Sequence, residues 1–537
     1  MELPPIPPEE RTPLVESLLA IIRQLQDRVQ QLEQTVQQLR DEIAVLKGQK
    51  PRPQIAPSRL ESPAPQASRE GDKRHGSAKR SKNAHLVITE EMQLRVLDVP
   101  AGSVSKGFEE YVVQELEIGA KATRYLRERV LTPDGHSVLA PLPDEVLPGS
   151  HFGPKLITYI LHQYHHNHVT QPLLLEELGE LGIDISAGQL SRILTENKDI
   201  FHQEKAVLLP VALTVSSYIG TDDTGARHQG HNGFCTVIRN DLFTYFESTD
   251  SKSRLNFLQV LQGGGRAYAI NEMTLTYWER QELSAELVQK LSHGPRAFAE
   301  ESAWQARLAE LAITGERHVR IATEGALLGG LVACGVSPNL GVLSDGAQQF
   351  FVFVHAACWV HAERPLARMV PHNEEHRAVI DKVRDQIWEL YKDLKVYQEH
   401  PDPSHKLLLE ARFDVLCDQR TNYPNIDGVL EDMREHKADL LRVLERPEVP
   451  VHNNGAESDI REYVKKRKIS GSTRSDAGRR CRDTFASLKK TCRKLGVSFW
   501  EYLLDRVRGL GKIPCLADLI RQRAAESETP LGQAVQA

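Results

Sequence analysis

No cysteine precedes Cys235, and the seven that follow (Cys235, Cys334, Cys358, Cys417, Cys481, Cys492 and Cys515) are odd in number, irregularly spaced and never form a Cys-x-x-Cys pair. This excludes a disulfide framework and a zinc ribbon, and it fits reduced thiols in a cytoplasmic protein. No signal peptide is expected either. The first residues carry Pro and Glu where a secretory leader needs Lys or Arg followed by an apolar run. No stretch approaches the roughly 18 apolar residues of a membrane span, so no membrane association is expected. Nor is there an excess of one charge: 67 Lys and Arg against 73 Asp and Glu leave a net charge of −6, so the total does not point to nucleic acid. What is present is length. The 537 residues, 40% of them hydrophobic, suffice for several domains and a sizeable core.

Residues 1–13 are rich in Pro and Glu and are expected to be disordered. Residues 14–47 carry the clearest periodicity of the chain. Leu18, Leu25, Leu32, Leu39 and Leu46 recur every seventh position, each preceded three positions earlier by Val15, Ile22, Val29, Val36 or Ile43. β-Branched residues at a with Leu at d favour a parallel two-stranded coiled coil, and Arg28 with Glu33 and Glu42 with Lys47 supply g-to-e pairs of opposite sign. Residues 48–85 read as a flexible basic linker, which is either simply solvated or in contact with phosphates. Residues 86–150 alternate in short runs with Asp134-Gly135 as a hairpin turn, predicting a small β-rich module.

From 151 to 205 the pattern is helical. A helix begins near Leu156, a second spans Leu173 to Leu181, Gly182 to Ile185 turns the chain, and Ser186 caps a third. Two helices joined by a Gly-containing turn outline a helix-turn-helix that would offer Gln189, Ser191 and Arg192 to a DNA groove, although any helical hairpin has the same outline. His162 and His166 share a helix face, but no cysteine or carboxylate lies nearby to complete a zinc site, so no zinc is expected.

From Thr214 the period becomes that of strands. Three consecutive strands are predicted, the first ending in Asp222, the second at Cys235 to Ile238 and the third at Leu242 to Phe246. They match the opening of a ribonuclease H-like sheet. A helical insertion about 278–335 separates this meander from Gly341-Val342-Leu343-Ser344-Asp345-Gly346, and long charged helices fill 366–446. Residues 496–537 read as a C-terminal helical tail. The fold class is therefore α/β and multidomain, with 214–495 as the catalytic part.

Asp222 and Asp345 each end an apolar run and stand near a glycine, as a buried strand would deliver an acid to a sheet edge; a plain turn residue fits the same context. Glu457 falls in the first turn of a helix that Asn453 can cap, where an acid also suits the helix dipole. Two Asp and one Glu from distant segments would make an all-oxygen site for magnesium, with manganese as a substitute. A dense basic run follows, including Arg461, Lys465, Lys466, Arg467, Lys468 and Arg474, and it favours phosphate binding over a solvated face. His361 and Arg364 would lie on adjacent turns of one helix, suited to a phosphate or to a structural role.

In their joint order these motifs resemble the transposases of the bacterial insertion-sequence family numbered 66, of the DDE class. Asp222-Asp223-Thr224 is similar to the family's Asp-Glu-Thr, Cys358-Trp359-Val360-His361 to its Cys-Trp-Ala-His, Asn454-Gly455-Ala456-Glu457 to its Asn-x-x-Glu, and Gly471 to Asp476 to its Gly-Ser-Asp loop. The resemblance implies that Asp222, Asp345 and Glu457 are a catalytic triad binding two Mg2+ ions. It implies strand cleavage and strand transfer at element ends, DNA (terminal repeats and target) as partner, a homodimer or larger assembly through the zipper, and accessory proteins of the same element. The location implied is the bacterial cytoplasm, in association with the nucleoid. The chain departs from the family in lacking cysteines over 86–150, where many members carry a zinc module. A non-catalytic DNA-binding protein and a structure-selective nuclease of the same superfamily remain as alternatives at this point.

Overall fold

The computed structural model describes residues 87–94, 108–109, 111–116, 118–143, 146–147, 149–265 and 267–528. The zipper, the basic linker and the last residues of the C-terminal tail lie outside these. The chain divides into two units, residues 1–115 and 116–537. In the first, the described residues carry no helix or strand. In the second, the expected β-rich module is reduced, among the described residues before 150, to a hairpin of three-residue strands, Arg129–Leu131 and Ser137–Leu139. Its turn is the Asp134-Gly135 turn, with Gly135 at φ 82°. Both strands are exposed, so their apolar residues, Val130, Leu131, Val138 and Leu139, are not buried in a core.

Four helices follow: α1 (Pro154–His165), α2 (Gln171–Glu180), α3 (Ala187–Thr195) and α4 (Asp199–Thr214). Ser186 starts α3 through a full capping box with Gln189. Leu174, Leu178, Leu190 and Leu194 are buried at helical spacing and pack α2 and α3 together. The helices predicted over 151–205 and their turn are thus present.

The centre is a five-stranded mixed sheet of β1 (Tyr218–Gly225), β2 (Phe234–Arg239), β3 (Thr244–Thr249), β4 (Gly341–Ser344) and β5 (Val354–Ala357), in the order β3-β2-β1-β4-β5. The first three are antiparallel, whereas β4 runs parallel to β1 and β5 parallel to β4. Between β3 and β4 the chain forms helices at Arg254–Leu261, Glu272–Arg280, Ala285–Ser292 and Glu301–Glu310, then α5 (Glu316–Ala333). A two-stranded ladder of Tyr268–Ala269 with Ala297–Phe298 lies among them. Gly325, Gly329 and Gly330 let α5 approach so closely that a Cβ at any of them would collide with Trp278, Thr274 or the Ala267 carbonyl.

After β5 come α6 (Trp359–Arg368), α7 (Glu374–Glu399), α8 (Pro403–Cys417) and α9 (Pro424–Glu435), which share a core of their own around Trp359, Phe413 and Leu430. The chain then returns as α10 (Asn454–Ser470) and α11 (Asp476–Lys494), and closes with α12 (Phe499–Arg508) and α13 (Leu516–Glu528). The closing pair is fastened to α4 by one buried acid: Glu204 accepts from Tyr502 Oη at 2.9 Å, Arg506 Nε at 2.8 Å and the Leu516 N–H at 2.9 Å. So many donors on one carboxylate offset its loss of water.

The edge strand β3 is covered by a helix. The N–H groups of Thr244, Phe246 and Ser248 donate to Thr491 Oγ1 (3.1 Å), Ser487 Oγ (2.9 Å) and Asp483 Oδ2 (2.8 Å) of α11. Positions four apart on a helix advance about 6 Å, and positions two apart on a strand advance about 6.6 Å, so the two periods nearly coincide. A sheet edge that would otherwise invite pairing is thereby satisfied by side chains. Among the described residues no helix is long and apolar enough to cross a membrane.

Candidate active site

Asp222 lies in β1 directly opposite Val237 of β2 and so shares its face of the sheet. Val237 packs with Ala456, Ile460 and Tyr463 of α10, so the helix that carries Glu457 covers that face. Asp345 follows the last residue of β4, the strand paired parallel to β1 through Gly220 and Leu343. The three acids of the sequence reading therefore come to one end of the sheet from three elements.

Their charges act on one another. Burial raises the Asp222 carboxyl, the Asp223 N–H donated to its Oδ1 at 2.8 Å partly offsets this, and the charges of Asp345, Asp223 and Glu457 add to it; the group stands at about 7. Asp223 is raised by burial as well, against the hydrogen bonds of Thr236 (2.5 Å) and Gln349 (3.1 Å) to its carboxylate. Asp345 Oδ1 accepts the N–H of Ala347 at 3.1 Å, and Gly346 at φ 96° turns the chain away from the strand.

Glu457 is held by two arginines and a histidine. Its Oε1 lies 3.2 Å from Arg364 Nη2 and 3.4 Å from His361 Nε2, and its Oε2 lies 3.5 Å from Arg461 Nη2. His361 and Arg364 do sit on adjacent turns of α6, but in this state they contact the carboxylate. Burial and the nearby Arg364 lower the His361 imidazole, opposed by the charges of Asp345 and Glu457. Among the described residues no three His, Cys, Asp or Glu side chains are already close enough to share one ion. The donor set nevertheless suits a hard divalent cation. It is all oxygen, and burial together with mutual repulsion holds Asp222 far above the usual carboxylate range, a strain that a cation among the acids would relieve.

Asn453 does not cap α10 with its side chain, contrary to the sequence expectation. Its amide donates instead to the Thr221 carbonyl at 2.7 Å, while its N–H meets Cys358 Sγ at 3.2 Å. Gly220 and Gly455 leave room for this junction: a Cβ on Gly220 would stand 2.9 Å from Asn453 Oδ1, and one on Gly455 2.5 Å from Arg239 Nη1.

The basic run divides into two groups. Lys466 is 5% exposed; its Nζ donates to the Tyr164 carbonyl at 2.7 Å and lies over the Tyr164 ring. It is thus a core residue, and the expectation that it faces DNA is corrected. Lys489 pairs with Glu462, and Lys490 and Lys494 with Asp459. Arg461, Lys465, Lys468 and Arg474 remain exposed, and Arg467 reaches Thr224 Oγ1 at 3.3 Å, beside the paired acids. In the helix-turn-helix outline Arg192 is exposed, whereas Gln189 and Ser191 are half-buried. A cleft of about 730 Å³ opens where α1, α10, α11 and α12 meet, with Lys465, Arg493, His166 and His168 on its walls.

A mixed α/β protein with three carboxylates gathered at one end of its sheet, beside an exposed basic surface, has the makings of an enzyme acting on a phosphodiester. Residues 347–480 match the family described as Transposase IS66 family, a span that contains His361, Arg364 and Glu457 and begins just after Asp345. The chain is 39% identical over 321 residues, 59% of its length, to the uncharacterized protein y4jO of Sinorhizobium fredii, and covers 100% of that relative. The chain belongs to the IS66 transposase family.

Proposed function

We propose that this protein cleaves and rejoins DNA at the ends of its own insertion sequence, with Asp222, Asp345 and Glu457 as the metal-binding acids of a DDE-type site. The observation that carries the proposal is the convergence of these acids from β1, the end of β4 and the first turn of α10, where burial, joined by the charges of Asp345, Asp223 and Glu457, raises Asp222 to about 7. The strand order β3-β2-β1-β4-β5, three strands antiparallel and two parallel, supports a ribonuclease H-like reading of the sheet.

Two magnesium ions, or manganese in their place, would supply positive charge for the attacking and the leaving oxygen of an in-line displacement. The chain's own groups prepare that chemistry. Asp222 is fixed on a buried strand whose pairing leaves it little freedom. Asp345 is held by its bond to the Ala347 N–H. Arg364 and Arg461, with the His361 ring beside them, offset the charge of Glu457 until a cation takes their place, after which the two guanidinium groups are free to meet the phosphates of the bound strand.

DNA would lie along Lys465, Lys468, Arg474 and Arg493, with Arg467 nearer the acids. Arg192 on α3, with Gln189 and Ser191, would contact the terminal repeats. The heptads of residues 14–47 support pairing of two protomers.

The test is cleavage of labelled DNA bearing the element ends, in magnesium or in chelator, by wild type and by Glu457→Gln. Magnesium-dependent nicking that is lost in the variant supports the reading. Equal nicking by both proteins would remove Glu457 from the site, and binding with no nicking by either would favour a non-catalytic DNA-binding protein.

A further inference from the structure

Beside Asp345 lies a buried polar relay that neither the acids nor the basic surface requires. Ser344, the last residue of β4 and fully buried, has its Oγ 2.9 Å from His355 Nε2. His355, on β5 and also buried, has its Nδ1 3.0 Å from Asp439 Oδ2. The ring, the strand and the acid are each held by a neighbour. Phe351 stacks on the ring at 3.9 Å, Arg442 Nε donates to the His355 carbonyl at 3.0 Å, and Arg442 Nη2 lies 3.4 Å from Asp439 Oδ1.

The order of donors follows from the acid. In the neutral ring a carboxylate at Nδ1 favours the proton on that nitrogen, so that Nε2 accepts from the Ser344 hydroxyl. The lone pairs of Ser344 Oγ are then turned to the one further donor at hand, the Gly346 N–H at 3.2 Å. Asp345 lies between these two residues, and its own Oδ1 takes the next N–H, that of Ala347. The turn carrying Asp345 is therefore fixed twice, once by its own carboxylate and once by a chain running Asp439, His355, Ser344, Gly346.

Burying three polar groups in sequence is costly unless each is satisfied, and an apolar trio could fill the same space. What this relay adds beyond packing is the Ser344–Gly346 bond. We propose that Ser344, His355 and Asp439 are positioning residues that hold the Asp345 turn in the arrangement that receives a divalent cation. The proposal rests on the reading of Asp345 as a metal-binding acid. Partners behind a metal-binding group commonly change affinity by about 10–100-fold when removed.

The experiment measures magnesium and manganese binding by calorimetry on the full chain, and melting in chelator, for wild type, Asp345→Asn, Ser344→Ala and Asp439→Asn. Ser344→Ala is expected to melt close to wild type in chelator yet bind the cation about 10-fold or more weakly, with Asp439→Asn shifted in the same direction. Should Ser344→Ala not fold, Asp439→Asn decides by the same criterion, since it lies at the outer end of the relay. A folded relay variant with wild-type affinity, alongside an Asp345→Asn protein that has lost binding, overturns the relay alone. A wild type that binds no cation overturns the metal site and the relay with it.

Discussion

The amide of Asn453 donates to the carbonyl of Thr221 at 2.7 Å, joining the start of the helix that carries Glu457 to the residue before Asp222. Two candidate acids more than two hundred positions apart are thus registered through one buried side chain. Asn453→Ala should lose this bond and leave the carbonyl without the amide. A cost of about 1–3 kcal/mol follows for a buried partner removed in this way, together with a loss of nicking larger than the loss of DNA binding. Chemical denaturation and a gel-shift titration on the same preparation check this; equal losses in both would argue against a registering role.

Asp222 should destabilise the metal-free protein at neutral pH. Its folded-state value of about 7 lies above that of an unfolded aspartate, so between the two the folded chain holds a proton that the unfolded chain has released. Stability therefore falls as pH rises through this window, and the whole penalty is present above pH about 7. In chelator at pH about 8, Asp222→Asn should melt above wild type. Added magnesium should raise the wild-type melting temperature and leave the variant unmoved, because only a ligand that binds the folded state stabilises it. Scanning fluorimetry suffices, and a variant that melts lower in chelator would contradict the account.

Lys466 and Lys465 are neighbours in sequence with opposite fates. Burial beside Tyr164, with Arg482 and Lys489 near, lowers the Lys466 amine to about 7. Its folded value is below the unfolded one, so this group makes stability rise with pH from about 7 towards 10. Lys466→Met should flatten part of that rise and leave DNA affinity unchanged. Lys465→Glu or Arg493→Glu should weaken DNA binding uniformly across sequences and reduce the salt slope by about 1 for each lost phosphate contact. Binding titrations at several salt concentrations separate the two classes.

The covered sheet edge gives a prediction independent of function. Ser487→Ala would leave the buried Phe246 N–H without its acceptor, at a cost of about 1–3 kcal/mol. Arg480→Ala on the solvated face of the same helix should stay within about 0.5 kcal/mol. Denaturant midpoints distinguish them.

Elements were largely legible in the sequence because their signals are local. Strand alternation before Asp222, the cap at Ser186 and the Asp134-Gly135 turn all appear in the structure where the sequence suggests them. What was not legible is decided by which face of a helix meets the sheet. The stretch from Arg461 to Lys494 reads as one basic surface, yet α10 and α11 turn Lys466, Lys489 and Lys490 inward. The available hint was the set of acids beside and among them: Asp459 and Glu462 are the partners of Lys490 and Lys489, and Asp483 closes the edge of β3. Asn453 reads as a cap because its position permits one, but the bond its amide donates to a strand carbonyl distant in sequence holds the side chain where its oxygen makes no cap. The Ser344–His355–Asp439 relay left no mark in the sequence at all, because its members come from a strand end, a second strand and a short helix with no shared spacing.

The order in which the acids occur along the chain has a consequence for synthesis. Asp222, Asp345 and Glu457 emerge from the ribosome in that order, and the helix that brings the last must then fold back over the strand that bears the first. An unfinished or prematurely terminated product can assemble much of the sheet, but it cannot hold all three carboxylates. On the proposed reading, a protein that breaks DNA is inert through most of its own translation, and chain order serves as a safety catch on the nuclease.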